Sequence, residues 1–71
     1  MIINFGETLR EHRLAYGLTQ IQLSKETGIS QQNISAWENN TYIPGIDFCV
    51  ILADFYHISL DDLIGRDIPK L

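Results

Sequence analysis

Cationic side chains are scarce in this sequence. Five Lys and Arg stand against nine Asp and Glu, for a formal net charge of −4 and a pI near 4.8. Such a balance on its face argues against a nucleic-acid partner. Cysteine occurs once, at Cys49, which excludes an internal disulfide or a cysteine-built zinc site and suits a reducing compartment. Asp or His interrupts the apolar stretches well short of the roughly 20 residues that a membrane span needs. The opening Met1-Ile2-Ile3-Asn4 has no basic segment leading into a long apolar run, as a secretory signal would. Repeats, low-complexity runs and linkers are lacking, and no segment alternates with period two over a strand's length. The expectation is one cytoplasmic domain, residues 1–71, with no strand and no contact with a membrane.

What the chain does have is helix punctuation. Asn4 followed by Glu7 reads as a capping pair, after which Phe5, Leu9, His12/Arg13 and Tyr16 recur at helical spacing until Gly17. Thr19 with Gln22 opens a second helix through Thr27, stopped by Gly28. Ser30 caps a third through about Asn39, a fourth runs from Ile46 to about Tyr56 behind Pro44-Gly45, and Ser59 with Asp62 starts a fifth that Gly65 closes. Five short helices joined by tight turns predict an all-α bundle.

The second and third helices flank Gly28-Ile29-Ser30. Leu23 and Ser24 on one are placed to face Ile34 and Trp37 on the other, with Ile29 between them. The outward face of the third helix is then Gln31, Gln32, Asn33, Ser35 and Ala36, which carries three amides, a hydroxyl and no charge. Asn and Gln pair bidentately with adenine in a major groove, so this face can read base edges; it is equally well an ordinary solvated helix face. The acidic excess lies mostly beyond residue 40, so an anionic partner is expected to dock on the first half, which holds Arg10, Arg13 and Lys25.

Taken in order, Leu9-Arg10-Glu11-His12-Arg13, Gly17-Leu18-Thr19-Gln20, Leu23-Ser24, Gly28-Ile29-Ser30, Ile34-Ser35-Ala36-Trp37-Glu38-Asn39, Pro44, Leu52-Ala53 and Ile58-Ser59-Leu60-Asp61-Asp62-Leu63 resemble the XRE family of phage-repressor and Cro-like helix-turn-helix proteins. The resemblance runs from about residue 5 to 65. It implies a compact five-helix, lambda-repressor-like domain with the motif at about 19–39 and the recognition helix, 30–39, in the major groove of operator DNA. Gln31, Gln32, Asn33, Ser35 and Ala36 fall at its base-reading positions. Gln20, Asn39, Asn40, Thr41 and Lys25 are the implied phosphate contacts, and Arg13 and Glu38 the implied ion pair between first and third helices. The chain departs from the family at residues 40–43, Asn-Thr-Tyr-Ile, where phosphate-gripping cations are common. It also departs at Ile21, Ser24 and His57, which stand in place of a charged residue, Ala and Gly. The implied function is a DNA-binding transcriptional regulator, a repressor for preference. The competing reading is a protein-interaction module on the same fold, such as an anti-repressor or an antitoxin-like partner.

The remaining conspicuous residues have structural readings. His12 and His57 lie in no metal-ligand pattern, and Cys49 reads as a buried small side chain. Trp37 reads as core, and Asp61-Asp62 as favourable charge at a helix start. No catalytic triad, phosphate loop or zinc signature is present, so neither enzyme activity nor a cofactor, metal or small-molecule ligand is expected. The fourth helix is apolar on two sides. Ile46, Cys49, Val50, Ala53 and Tyr56 are expected to turn to the core, leaving Phe48, Ile51 and Phe55 outward. A second protomer covering them, in a homodimer on two half-sites, is the expectation; the tail Ile68-Pro69-Lys70-Leu71 folding back is the intramolecular alternative.

Overall fold

The structure, a computed structural model, describes residues 4–65, and the Ile68–Leu71 tail lies outside them. It has helices α1 (Phe5–Ala15), α2 (Gln20–Thr27), α3 (Gln31–Glu38), α4 (Ile46–Tyr56) and α5 (Leu60–Ile64), and no strand among the described residues. The expected boundaries agree to within a residue or two at each end.

Side chains start four of the five helices. Asn4 Oδ1 accepts from the Glu7 amide at 3.0 Å, Ser30 Oγ from the Asn33 amide at 3.1 Å, and Ser59 Oγ from the Asp62 amide at 3.0 Å. Thr19 and Gln22 form a reciprocal capping box, with bonds of 3.1 and 2.8 Å. Left-handed residues end α2, α4 and α5: Gly28 at φ 78°, His57 at φ 56° and Gly65 at φ 75°. His57 thus adopts a conformation usual for glycine, which His tolerates better than most residues.

The core gathers Leu9 of α1, Leu23 of α2, Ile29, Ile34 and Trp37 of the motif, Cys49, Leu52, Ala53 and Tyr56 of α4, and Leu63 of α5. The Trp37 and Phe48 rings pack at a tilt of 53° with centroids 5.2 Å apart. His12 lies 5.7 Å from the Tyr56 ring and places Nε2 2.8 Å from the Asp62 carbonyl oxygen, which ties α1 to α5.

The fourth helix turns differently from expectation. Its buried stripe is Cys49, Leu52, Ala53 and Tyr56, whereas Ile46 is 70% and Val50 42% exposed. Phe48 and Phe55 are half-buried against the core, Phe55 touching Tyr16 and Tyr56, and only Ile51 of the three supposed outward residues is exposed. A helix apolar nearly all round does not say which stripe is innermost. Docking against α2 and α5 decides it, and Leu52 becomes the centre.

A close approach fixes α1 on the end of α3. Gly6 packs against the Glu38 backbone so tightly that a Cβ would overlap the Glu38 carbonyl oxygen. The Gly6 amide donates to Asn40 Oδ1 at 3.0 Å, and Asn40 Nδ2 donates to Asn4 Oδ1 at 3.2 Å.

Candidate nucleic-acid interface

The turn between α2 and α3 is satisfied from within. Gly28 takes the left-handed conformation, Thr27 Oγ1 donates to the Leu23 carbonyl at 2.8 Å, and the Ile29 amide donates to Thr27 Oγ1 at 3.2 Å. Leu23, Ile29, Ile34 and Trp37 are all buried, which pins one side of α3 and leaves the other outward. At 100° per residue, Ile34 and Trp37 define the inner side, and Gln31, Gln32, Ser35, Ala36 and Asn39 fall on the outer arc. These five residues and Thr41 line a shallow groove. The Gln31 and Gln32 side chains are exposed and make no hydrogen bond among the described residues.

A second, polar cleft is lined by Arg10 and Arg13 of α1, Gln20 at the first position of α2, Glu38 and Asn39. Asn39 lines both depressions, so the amide-rich groove and the cleft adjoin at that residue. At the back of the cleft, Arg13 Nε and Nη2 donate to the two oxygens of Glu38 at 2.8 and 2.9 Å, and Arg13 Nη1 donates to the Leu18 carbonyl at 2.7 Å. The side chains of this ion pair are 10% and 5% exposed. The Glu38 hydrogen bonds hold the Arg13 guanidinium above its ordinary pKa, against the opposing effect of burial. Gln20 Nε2 donates to Glu38 Oε1 at 3.2 Å. Arg10, by contrast, is exposed and has no ion pair among the described residues.

Not every expected contact residue reaches this surface. Asn33 is exposed but off the groove, toward the Trp37 side of α3, and Lys25 in the last turn of α2 borders neither depression. Asn40 turns its amide to α1, where both ends are engaged. Arg10 was missed as a cleft residue. Its signal was available, because it sits three residues before Arg13 and shares that side of the helix. Among the described residues, no group of three or more His, Cys, Asp or Glu could hold a metal ion, and no helix is long and apolar enough to cross a membrane.

Behind the cleft lies a cavity of about 10 Å³, lined by Glu38, Tyr56 and apolar core residues. Tyr56 Oη is buried there without a hydrogen-bond partner among the described residues. Burial first, and the Glu38 charge second, push the Tyr56 phenol up to about 12 from its ordinary 10.0. The unfolded chain therefore ionises Tyr56 first, and stability present below pH 10 is expected to fall as pH rises toward about 12. Tyr56→Phe is expected to remove that part of the alkaline loss and to leave stability at pH 7 unchanged or higher by up to about 1 kcal/mol. Urea unfolding across pH checks both; a large loss at pH 7 would show that the hydroxyl is bonded.

A helix-turn-helix family model matches residues 9–63. The chain is 31% identical over 65 residues to the transcriptional regulator ImmR of Bacillus subtilis, covering 92% of this chain and 51% of that protein. It is 37% identical over 60 residues to the cryptic phage CTXphi transcriptional repressor RstR of Vibrio cholerae, covering 84% and 54%. The chain thus spans about half the length of both relatives. A crystal structure of a transcriptional regulator from Listeria innocua superposes with a TM-score of 0.83 at 21% identity, over 100% of this chain and 66% of that one, which shows a shared fold.

Proposed function

Because the chain belongs to the XRE-type helix-turn-helix family, we propose that it is the operator-binding part of a transcriptional regulator, a repressor acting in the cytoplasm. The observation that carries this reading is that the groove and the cleft meet at Asn39, which lines both. Unengaged amides suited to base edges stand on α3. Beside them stand Gln20, Asn39 and the exposed Arg10, suited to backbone phosphate. A helix start at Gln20 adds amide N–H groups that favour an anion. The assigned base readers are Gln31, Gln32, Ser35 and Ala36, with Asn33 at their margin.

The scarcity of cations shapes the expected binding. Arg13 is neutralised by Glu38, which leaves Arg10 as the cation of the cleft. Selection from a random duplex library at low salt is expected to recover a preferred sequence, and affinity for it should fall with salt at a slope of only about −1 to −2 per protomer. Gln32→Ala is expected to cost about 1–3 kcal/mol on the preferred duplex while leaving binding to unrelated DNA nearly unchanged. Equal losses on both would remove the base-reading role, and no recovered sequence would favour an interaction module instead.

A homodimer completes this reading. The uncovered apolar residues near α4 are Ile51 on one flank and Ile46 and Val50 on the other, with Tyr42 and Ile43 just before the helix. A second copy over this side would double the few phosphate contacts available to one protomer. Two protomers per selected duplex is the result that supports it.

A further inference from the structure

We propose that Glu38 is a positioning residue for DNA binding: it holds the side-chain amide of Gln20 so that one fixed N–H remains for the phosphate backbone. This rests on the DNA reading above. Glu38 Oε1 accepts both Arg13 Nη2 at 2.9 Å and Gln20 Nε2 at 3.2 Å, while Oε2 accepts Arg13 Nε at 2.8 Å. The carboxylate is itself well enclosed: its side chain is 5% exposed and its partner Arg13 is tied to the Leu18 carbonyl. Gln20 is half-buried and lines the cleft that Arg10 and Asn39 share.

A primary amide has two N–H donors and one acceptor oxygen. Glu38 takes one donor, which leaves the second for a ligand in the cleft. A free glutamine loses rotamer freedom when it grips a phosphate, whereas Gln20 has lost that freedom on folding. A lone carboxylate here would repel the DNA backbone. With Arg13 beside it the pair is neutral, so Glu38 orients the donor without adding net negative charge.

The test is a double-variant comparison on the full chain, using the duplex recovered by selection. In the parent, Gln20→Ala is expected to weaken binding about five- to tenfold and to abolish sensitivity to a neutral methylphosphonate at one backbone position. In an R13M/E38L background, which exchanges the buried pair for apolar side chains, the same change is expected to cost less than about twofold. There the methylphosphonate position should already be silent. An equal loss in both backgrounds overturns the proposal while leaving the DNA reading standing. Failure of the parent to select any duplex overturns both. Side-chain NMR of the free, unsubstituted chain provides a second measurement that does not depend on the folding of a variant. The order parameter of the Gln20 side-chain amide is expected to approach that of rigid backbone, about 0.85, with those of Gln31 and Gln32 below about 0.6. A Gln20 amide as mobile as theirs overturns the proposal.

Discussion

Glu38→Ala is expected to destabilise the chain by about 3–5 kcal/mol. The substitution strands the Arg13 guanidinium, which is tucked against the Leu18 carbonyl and loses both partners at Nε and Nη2. A 71-residue domain has only about 4–10 kcal/mol of stability in total at typical values per residue. The variant should therefore sit near the edge of unfolding at room temperature. Arg13→Ala should be of similar size, since it leaves a carboxylate that is 5% exposed with only the Gln20 amide. The combined R13M/E38L variant should recover most of the loss, because the desolvation of both charges disappears together. Chemical denaturation of the three variants reads the sequence directly: two deep losses and one shallow one. If both single variants unfold like the parent, the pair contributes nothing and the cleft is more hydrated than its exposure suggests.

Gly6→Ala is the second large effect, and its sign runs against helix propensity. Ala is about 1 kcal/mol better than Gly inside a helix, so an unconstrained position would gain. Here the new methyl would overlap the Glu38 carbonyl oxygen and crowd the Glu38 carbonyl carbon and Asn40 Nδ2. Two of these three atoms are backbone and cannot swing away. Relief requires α1 to lift off the end of α3, which also breaks the Gly6 amide bond to Asn40 Oδ1. Overpacking and an orphaned amide together outweigh the propensity gain, for an expected net loss of about 2–4 kcal/mol. Gly17→Ala is the control: nothing lies within 4 Å of its Cβ position, and only its φ of 70° opposes the change, at about 1–2 kcal/mol. A melt in which Gly6→Ala costs no more than Gly17→Ala would show that the helix contact is looser than the geometry implies.

The fold was legible because four of the five helices carry a side-chain start and three end in a left-handed residue. Thr19 with Gln22, Ser30 and Ser59 cap through hydrogen bonds that sequence spacing alone specifies, and Gly28 and Gly65 end helices through a conformation other residues resist. The outer arc of α3 was legible for a related reason. Ile34 and Trp37 are the apolar pair of that helix, so its opposite side had to be Gln31, Gln32, Ser35 and Ala36. Where local pattern is silent, the reading failed. The α4 helix is apolar at nearly every position, so the choice between Leu52 and Ile46 as the inner residue depends on neighbours far along the chain. The same holds for Asn40, whose amide looks available in sequence but is claimed by Gly6 and Asn4, more than 30 residues away. Asn33 sits within the recognition helix yet misses the groove by its angle, which a contiguous stretch of polar residues conceals.

The recognition helix is anchored asymmetrically. Its last turn is held by the Arg13 pair and by the approach of Gly6, whereas Gln31 and Gln32 at its first turn project from the fold without internal bonds. Exchanging exposed side chains of this kind usually changes stability by less than about 0.5 kcal/mol. The positions proposed to face DNA are therefore those where mutation is nearly free, and those that hold the helix in place are where mutation is severe. If the first helical turn reads the target as proposed, target preference is open to change by substitutions there that leave the scaffold intact, whereas substitutions in the last turn cost folding stability.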